Sequence, residues 1–167
     1  MFRPFFLSLS GALALGACQG PGGQQVFSAP QAPRTVELSR ALRIPHGKAR
    51  AYFQGGAQVG APNRYEPYCE LEVSDVSDGS LELEADRFAV TRVMQRRVAD
   101  EASGVPAGID IFGGSDIFHE THLWLSSAAE PEVRKLICRS WTQDAGRGRY
   151  LSVADMQAVL GPSFSLR

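Results

Sequence analysis

Tyr68-Cys69-Glu70-Leu71-Glu72-Val73 alternates apolar and charged residues with period two. Successive side chains of a strand point to opposite faces. The run therefore predicts a half-buried β-strand with Cys69, Leu71 and Val73 inward and the glutamates outward in solvent. Most of the chain repeats this grammar. Val36, Leu38, Leu42 and Ile44 share one parity, interrupted at Arg40 and stopped by Pro45. Ala49 to Phe53 reads as a second strand ending at Gly55-Gly56, and Gln58 to Pro67 as a loop. Asp78-Gly79 is a hairpin signal, with Leu81 and Leu83 continuing the alternation beyond it. Thr121 to Ser126 and the run after Pro131-Glu132 are further strands. In the second of these, Leu136, Cys138 and Ser140 lie on one face and Ile137, Arg139 and Trp141 on the other.

Two stretches carry other periods. Val90, Val93, Met94 and Val98 have helical spacing, but Phe88 to Val98 is rich in β-branched and aromatic types and is predicted as strand. Val153, Met156, Val159 and Leu160 form the apolar face of a helix. Ser152 and Asp155 suit a capping box, and Gly161-Pro162 ends it. Ala99 to Ser115, with Gly104, Pro106, Gly108, Gly113 and Gly114, is a long loop. The fold class is mainly β: a small β-sandwich or barrel of about seven strands with one C-terminal helix. With 44% apolar residues and nine phenylalanines, about 130 residues from Thr35 onward suffice for one core. Pairing elements so far apart in sequence implies high contact order and slow folding.

The N-terminus is of another kind. Met1-Phe2-Arg3-Pro4 is basic, and Phe5 to Leu15 is an uncharged apolar run of about ten residues, half of what a spanning helix needs. It ends in Leu15-Gly16-Ala17-Cys18, which resembles the lipobox of bacterial lipoprotein precursors. The resemblance covers roughly the first eighteen residues. It implies cleavage between Ala17 and Cys18, a diacylglyceryl thioether on Cys18, and acylation of the new amine, palmitate being an expected chain. One acyl chain binds a membrane marginally, and two or more hold it stably. Gln19, where an aspartate is associated with inner-membrane retention, implies the outer membrane, facing the periplasm.

The chain is accordingly read as a signal peptide over 1–17, a lipidated cysteine with flexible tether over 18–34, and one β-rich periplasmic domain over 35–167. The tether is rich in glycine, proline and glutamine and spans about 20 to 25 Å on average. In an oxidising periplasm, and with Cys18 taken by lipid, Cys69 and Cys138 are expected to form a disulfide; unpaired, they would pack as small apolar groups. Without the leader the formal charge moves from −1 to −2. That leaves no clustered basic face for nucleic acid.

Chemistry-bearing motifs are sparse. Asp116-Ile117-Phe118-His119-Glu120-Thr121-His122 holds two histidines and two carboxylates, types that ligate metals. A zincin helix would need its second histidine at 123, where Leu123 stands. In a strand, His119 and His122 point to opposite faces and only Glu120 and His122 share one, so a metal needs a bend at Glu120 or a distant partner such as His46. The expectation is a loop-to-strand transition with solvated polar residues and no metal or catalytic site. The competing reading is a metal-binding or metal-dependent catalytic domain using His119, Glu120 and His122. No G-x-S-x-G surrounds a serine, and no lysine follows Gly113-Gly114-Ser115 at phosphate-loop spacing.

Arg92, Arg96 and Arg97 are read as solvated surface charge, with an anionic headgroup surface as the functional alternative. Asn63 to Tyr68 combines aromatics and arginine, as interface hot spots do. Tyr52, Phe53 and Trp141 are core or core-rim aromatics. The expected function is that of a membrane-anchored envelope lipoprotein, with no cofactor beyond the lipid on Cys18. Its domain would bind another envelope component through the loops 57–68 and 99–118.

Overall fold

A computed structural model describes residues 32–76, 78–99, 116–143 and 148–167. The domain is mainly β with one short helix, as its alternation predicts. An eight-stranded antiparallel sheet curls into a half-barrel, and a two-stranded sheet lies beside it. In chain order the strands are β1 (Thr35–Leu38), β2 (Leu42–Ile44), β3 (Arg50–Gln54), β4 (Ala57–Val59) and β5 (Tyr68–Val73). After them come β6 (Leu81–Leu83), β7 (Asp86–Ala99), β8 (Ile117–Ser126), β9 (Val133–Thr142), helix α1 (Val153–Leu160) and β10 (Phe164–Leu166). The large sheet runs β10-β1-β7-β8-β9-β5-β3-β4; β2 and β6 form the small one.

The concave face holds the core. Phe53, Leu71, Phe88, Leu123, Leu136, Leu160 and Phe164 are fully buried there. Helix α1 touches β3, β4 and β5 at one side of the half-barrel and β10 at the other, so it fills the gap between the two sheet edges. Phe53 meets Phe164 edge-to-face across that gap at 5.0 Å. The helix starts as its sequence predicts. Ser152 Oγ accepts from the Asp155 amide at 3.1 Å, and Asp155 accepts from the Ser152 amide at 3.0 Å. Gly161 ends it at φ +66°, where a side chain would overlap the Gly56 backbone. Cys69 and Cys138 are directly opposite on β5 and β9 and form a disulfide.

Several local expectations need correction. Among the described residues there are ten strands, where about seven were expected. The run from Val36 to Ile44 is two strands in two sheets. It breaks where Ser39 N donates to Ser163 O and the Arg40 guanidinium donates to Ser163 Oγ. Asp78-Gly79 does not join a hairpin: β5 pairs with β3 and β9, and β6 pairs with β2. The start of the expected 58–67 loop is β4, reached through Gly55 (φ +60°) and Gly56 (φ +87°), both conformations a two-residue hairpin turn requires. Strand β8 begins at Ile117 rather than Thr121, and β10 follows the helix.

Phe88 to Val98 is strand, as predicted, and its helix-like spacing has a cause. The register with β8 shifts between Val90 and Arg92, so one extra residue moves the inward parity from Phe88 and Val90 to Val93. The expected signal peptide and most of the expected tether (1–31), and the long loop expected over 99–115 except Ala99, lie outside the described residues. Among the described residues no helix is long and apolar enough to cross a membrane.

Candidate binding face

Strand register decides which side chains share the convex face. With Cys69, Leu71, Leu123, Leu136 and Cys138 turned to the core, their neighbours Glu70, Glu120, His122 and Arg139 turn outward. Glu120 stands opposite Arg139 on β9 and opposite Arg96 on β7. Its carboxylate accepts from Arg139 Nε at 2.6 Å and Arg96 Nε at 2.7 Å, and lies 2.8 Å from His122 Nε2. Arg139 continues the chain, donating to Glu70 Oε2 at 2.9 Å and to the Tyr68 hydroxyl at 3.1 Å. Arg50 closes it against Glu70 at 3.5 Å and Glu72 at 3.1 Å.

These outward residues are not solvated. Glu70 is 1% exposed, Glu120 4% and His122 3%, which corrects the expectation that Glu70 and the Asp116–His122 stretch face water. Burial alone would raise the Glu120 carboxyl. The hydrogen bond with His122, the charge of Arg139, and the bonds from Arg96 and Arg139 outweigh it and hold it down at about 2. For Arg139, burial works against the charge, and Glu70 and Glu120 more than compensate, so the guanidinium is held further above its ordinary value. A carboxylate already accepting from two guanidiniums and an imidazole is ionised at neutral pH. It is poorly placed to move protons or take a metal.

Above this buried layer lies a shell of arginine and aromatic side chains. The Arg92 guanidinium sits over the Trp124 ring at 4.8 Å, and Trp124 stacks on His122 at 5.7 Å. Six residues back along β8, Arg64 lies over Phe118 at 5.2 Å and over Tyr65 at 5.5 Å. It also pairs with Asp116 at 3.8 Å. Tyr65 meets Trp141 edge-to-face at 5.0 Å while remaining 53% exposed. Of the aromatics read as core or rim, Phe53 is core, and Tyr52 and Trp141 are half-buried on this face.

His119 lies on the opposite, concave side. It is 2% exposed, faces Tyr150 edge-to-face at 5.3 Å, and is crossed by Gly148, where any side chain would overlap its ring. Its Nδ1 is buried without a hydrogen-bond partner. Burial, and then the charge of Arg97, lower its pKa below the ordinary value of 6.5. The structure therefore brings Glu120 and His122 together and separates His119 from both, and His46 sits in the exposed turn after β2. Among the described residues no group of three or more histidine, cysteine, aspartate or glutamate side chains could hold a metal ion. The Arg92, Arg96, Arg97 cluster also divides: Arg92 and Arg96 are on the convex face, Arg97 on the other.

Glu70, Trp124 and Arg139 were not singled out from sequence as site residues, and Tyr68 only as the end of the Asn63–Tyr68 run. One signal was present. A Cys69–Cys138 pairing fixes the register, which sets Tyr68 opposite Arg139 and Glu70 one step away from it. Family models, curated proteins and solved structures were all compared with the chain, and none matches it.

Proposed function

We propose that the chain is a bacterial envelope lipoprotein, anchored through lipid on Cys18 and facing the periplasm from the outer membrane. Its domain acts by binding another envelope component rather than by turnover. The anchor rests on Leu15-Gly16-Ala17-Cys18, and Gln19 favours the outer membrane. The observation that carries the binding role is the arginine and aromatic shell around Tyr65, Trp141 and Arg64, held in place by packed rings and ion pairs. Aromatic and arginine side chains positioned in this way supply most of the energy at protein interfaces. The Glu120 carboxylate beneath already accepts from two guanidiniums, which suits a scaffold better than a reaction centre. Of the loops expected to make contact, residues 60–67 present Arg64 and Tyr65, and residues 100–115 lie outside the described residues.

A photo-cross-linking residue at Tyr65 in living cells tests this. A discrete cross-linked envelope partner is expected, lost on Arg64→Ala with the fold intact. Absence of any adduct at Tyr65, alongside efficient self-labelling of the probe, would sink the proposal.

A further inference from the structure

We infer that the part of the convex face around Arg92, Trp124 and Arg96 rests on the anionic phospholipid headgroups of the membrane that holds the chain. This rests on the lipoprotein reading above and names the surface the domain turns toward its own anchor.

Three observations converge. The first is where the N-terminal segment joins the domain. The Val90 amide donates to the Arg34 carbonyl at 2.9 Å, so the chain leaves β1 beside β7, two residues from Arg92. A connection of residues 18–34 averages about 20 to 25 Å, which keeps this part of the face within reach of the headgroups.

The second is charge. The acids of this face are withdrawn: Glu70 and Glu120 are buried, and Glu72 is paired with Arg50 and Lys135. The cations stand above them. Arg92 is exposed, and its contacts are the Trp124 ring and the Met94 sulfur at 4.0 Å. Among the described residues no carboxylate pairs with Arg92 or with exposed Arg134. Arg96 commits Nε to Glu120 yet stays 47% exposed, leaving its terminal donors for a phosphate. The surface layer is thus basic although the whole chain is nearly neutral.

The third is Trp124 itself. It is a half-buried indole in the middle of the cations, the side chain that settles at the level of headgroups.

The test uses the full chain, produced with its own N-terminus, extracted from membranes and reconstituted into vesicles. These contain phosphatidylcholine alone or an equal mixture with phosphatidylglycerol. Hydroxyl-radical labelling read by mass spectrometry resolves Trp124 from Trp141 without altering either. Trp124 labelling is expected to fall about two-fold or more in the phosphatidylglycerol vesicles, and to recover in high salt. Arg92→Glu, or the uncharged Arg92→Gln, should abolish that protection. Arg43→Glu on β2, an exposed site of the same charge change, should not.

Equal labelling of Trp124 in both vesicle types overturns the inference. Protection that appears in both and rises with protein density assigns the face to a second copy of the chain and also overturns it. The same digest reports Cys18. An acylated Cys18 with unprotected Trp124 refutes this inference alone, and an unmodified Cys18 refutes the anchor and this inference with it.

Discussion

Replacing Glu120 by glutamine removes the one charge that Arg96, Arg139 and His122 share. Arg96 is half-exposed and can turn to water, so its loss is small. Arg139 is 15% exposed and keeps only Glu70 and Tyr68 as partners, and His122 is buried with its Nδ1 already unpartnered. Breaking a buried ion pair costs about 3–5 kcal/mol. The retained Glu70 contact and the glutamine carbonyl reduce that to roughly 2–4 kcal/mol. For a domain of this size the melting temperature should fall by on the order of 10 °C.

The pH dependence separates this from a packing defect. The folded-state pKa of Glu120 is about 2, below its ordinary 4.5. A depressed carboxyl stabilises the fold above the ordinary value, and that contribution is lost as pH falls toward 2, when the folded state must also take the proton. Discounted for residual solvent screening, it is roughly 2–3 kcal/mol. Thermal unfolding followed by near-ultraviolet circular dichroism should therefore show wild type well above Glu120→Gln at pH 7, with the two converging between pH 4.5 and 2. Equal stability at pH 7, or a gap that stays constant down to pH 2, would refute the role given to this carboxylate.

Three other outcomes are expected. Cys69 and Cys138 are at most 1% exposed and enclose a separation of 69 residues. Reductant should leave the bond intact until denaturant is added, and the double alanine variant should lose about 4 kcal/mol in urea unfolding. His119 has a lowered pKa, so its neutral form supports the fold above the ordinary 6.5 and that support fades as pH falls below 6.5. His119→Phe should flatten the stability profile below pH 6.5, measured by chemical denaturation. Gly161→Ala combines positive φ with overlap of the Gly56 backbone. It should cost about 3 kcal/mol or more and expose the Phe53–Phe164 contact to proteolysis at the α1 end.

What could be read from sequence follows from which forces are local. Alternation in Tyr68–Val73 and the Ser152–Asp155 cap are decided within a few residues, and both elements form as read. The bulge after Val90 was visible only as an odd spacing, because parity shifts by one there. The Gly55-Gly56 hairpin carried its signal in the glycine pair, beside residues that otherwise read as loop.

Pairings such as β1 with β10 and β2 with β6 join segments with no local mark of each other. The splitting of Val36–Ile44 between two sheets was hidden for that reason. The site follows the same logic. Parity alone places Glu120 and His122 on one face and His119 on the other. The burial of Glu70, Glu120 and His122 depends on arginines from other strands, whose position only the assembled sheet supplies.

Mass spectrometry of the N-terminal peptide from membrane-extracted protein decides whether Cys18 anchors this domain through lipid. The expected species begins at Cys18, carries the diacylglyceryl thioether and an amide-linked acyl chain, and is lost with membrane association on Cys18→Ala. A chain that begins elsewhere, or a Cys18 with a free thiol in protein that still sediments with membranes, would contradict it.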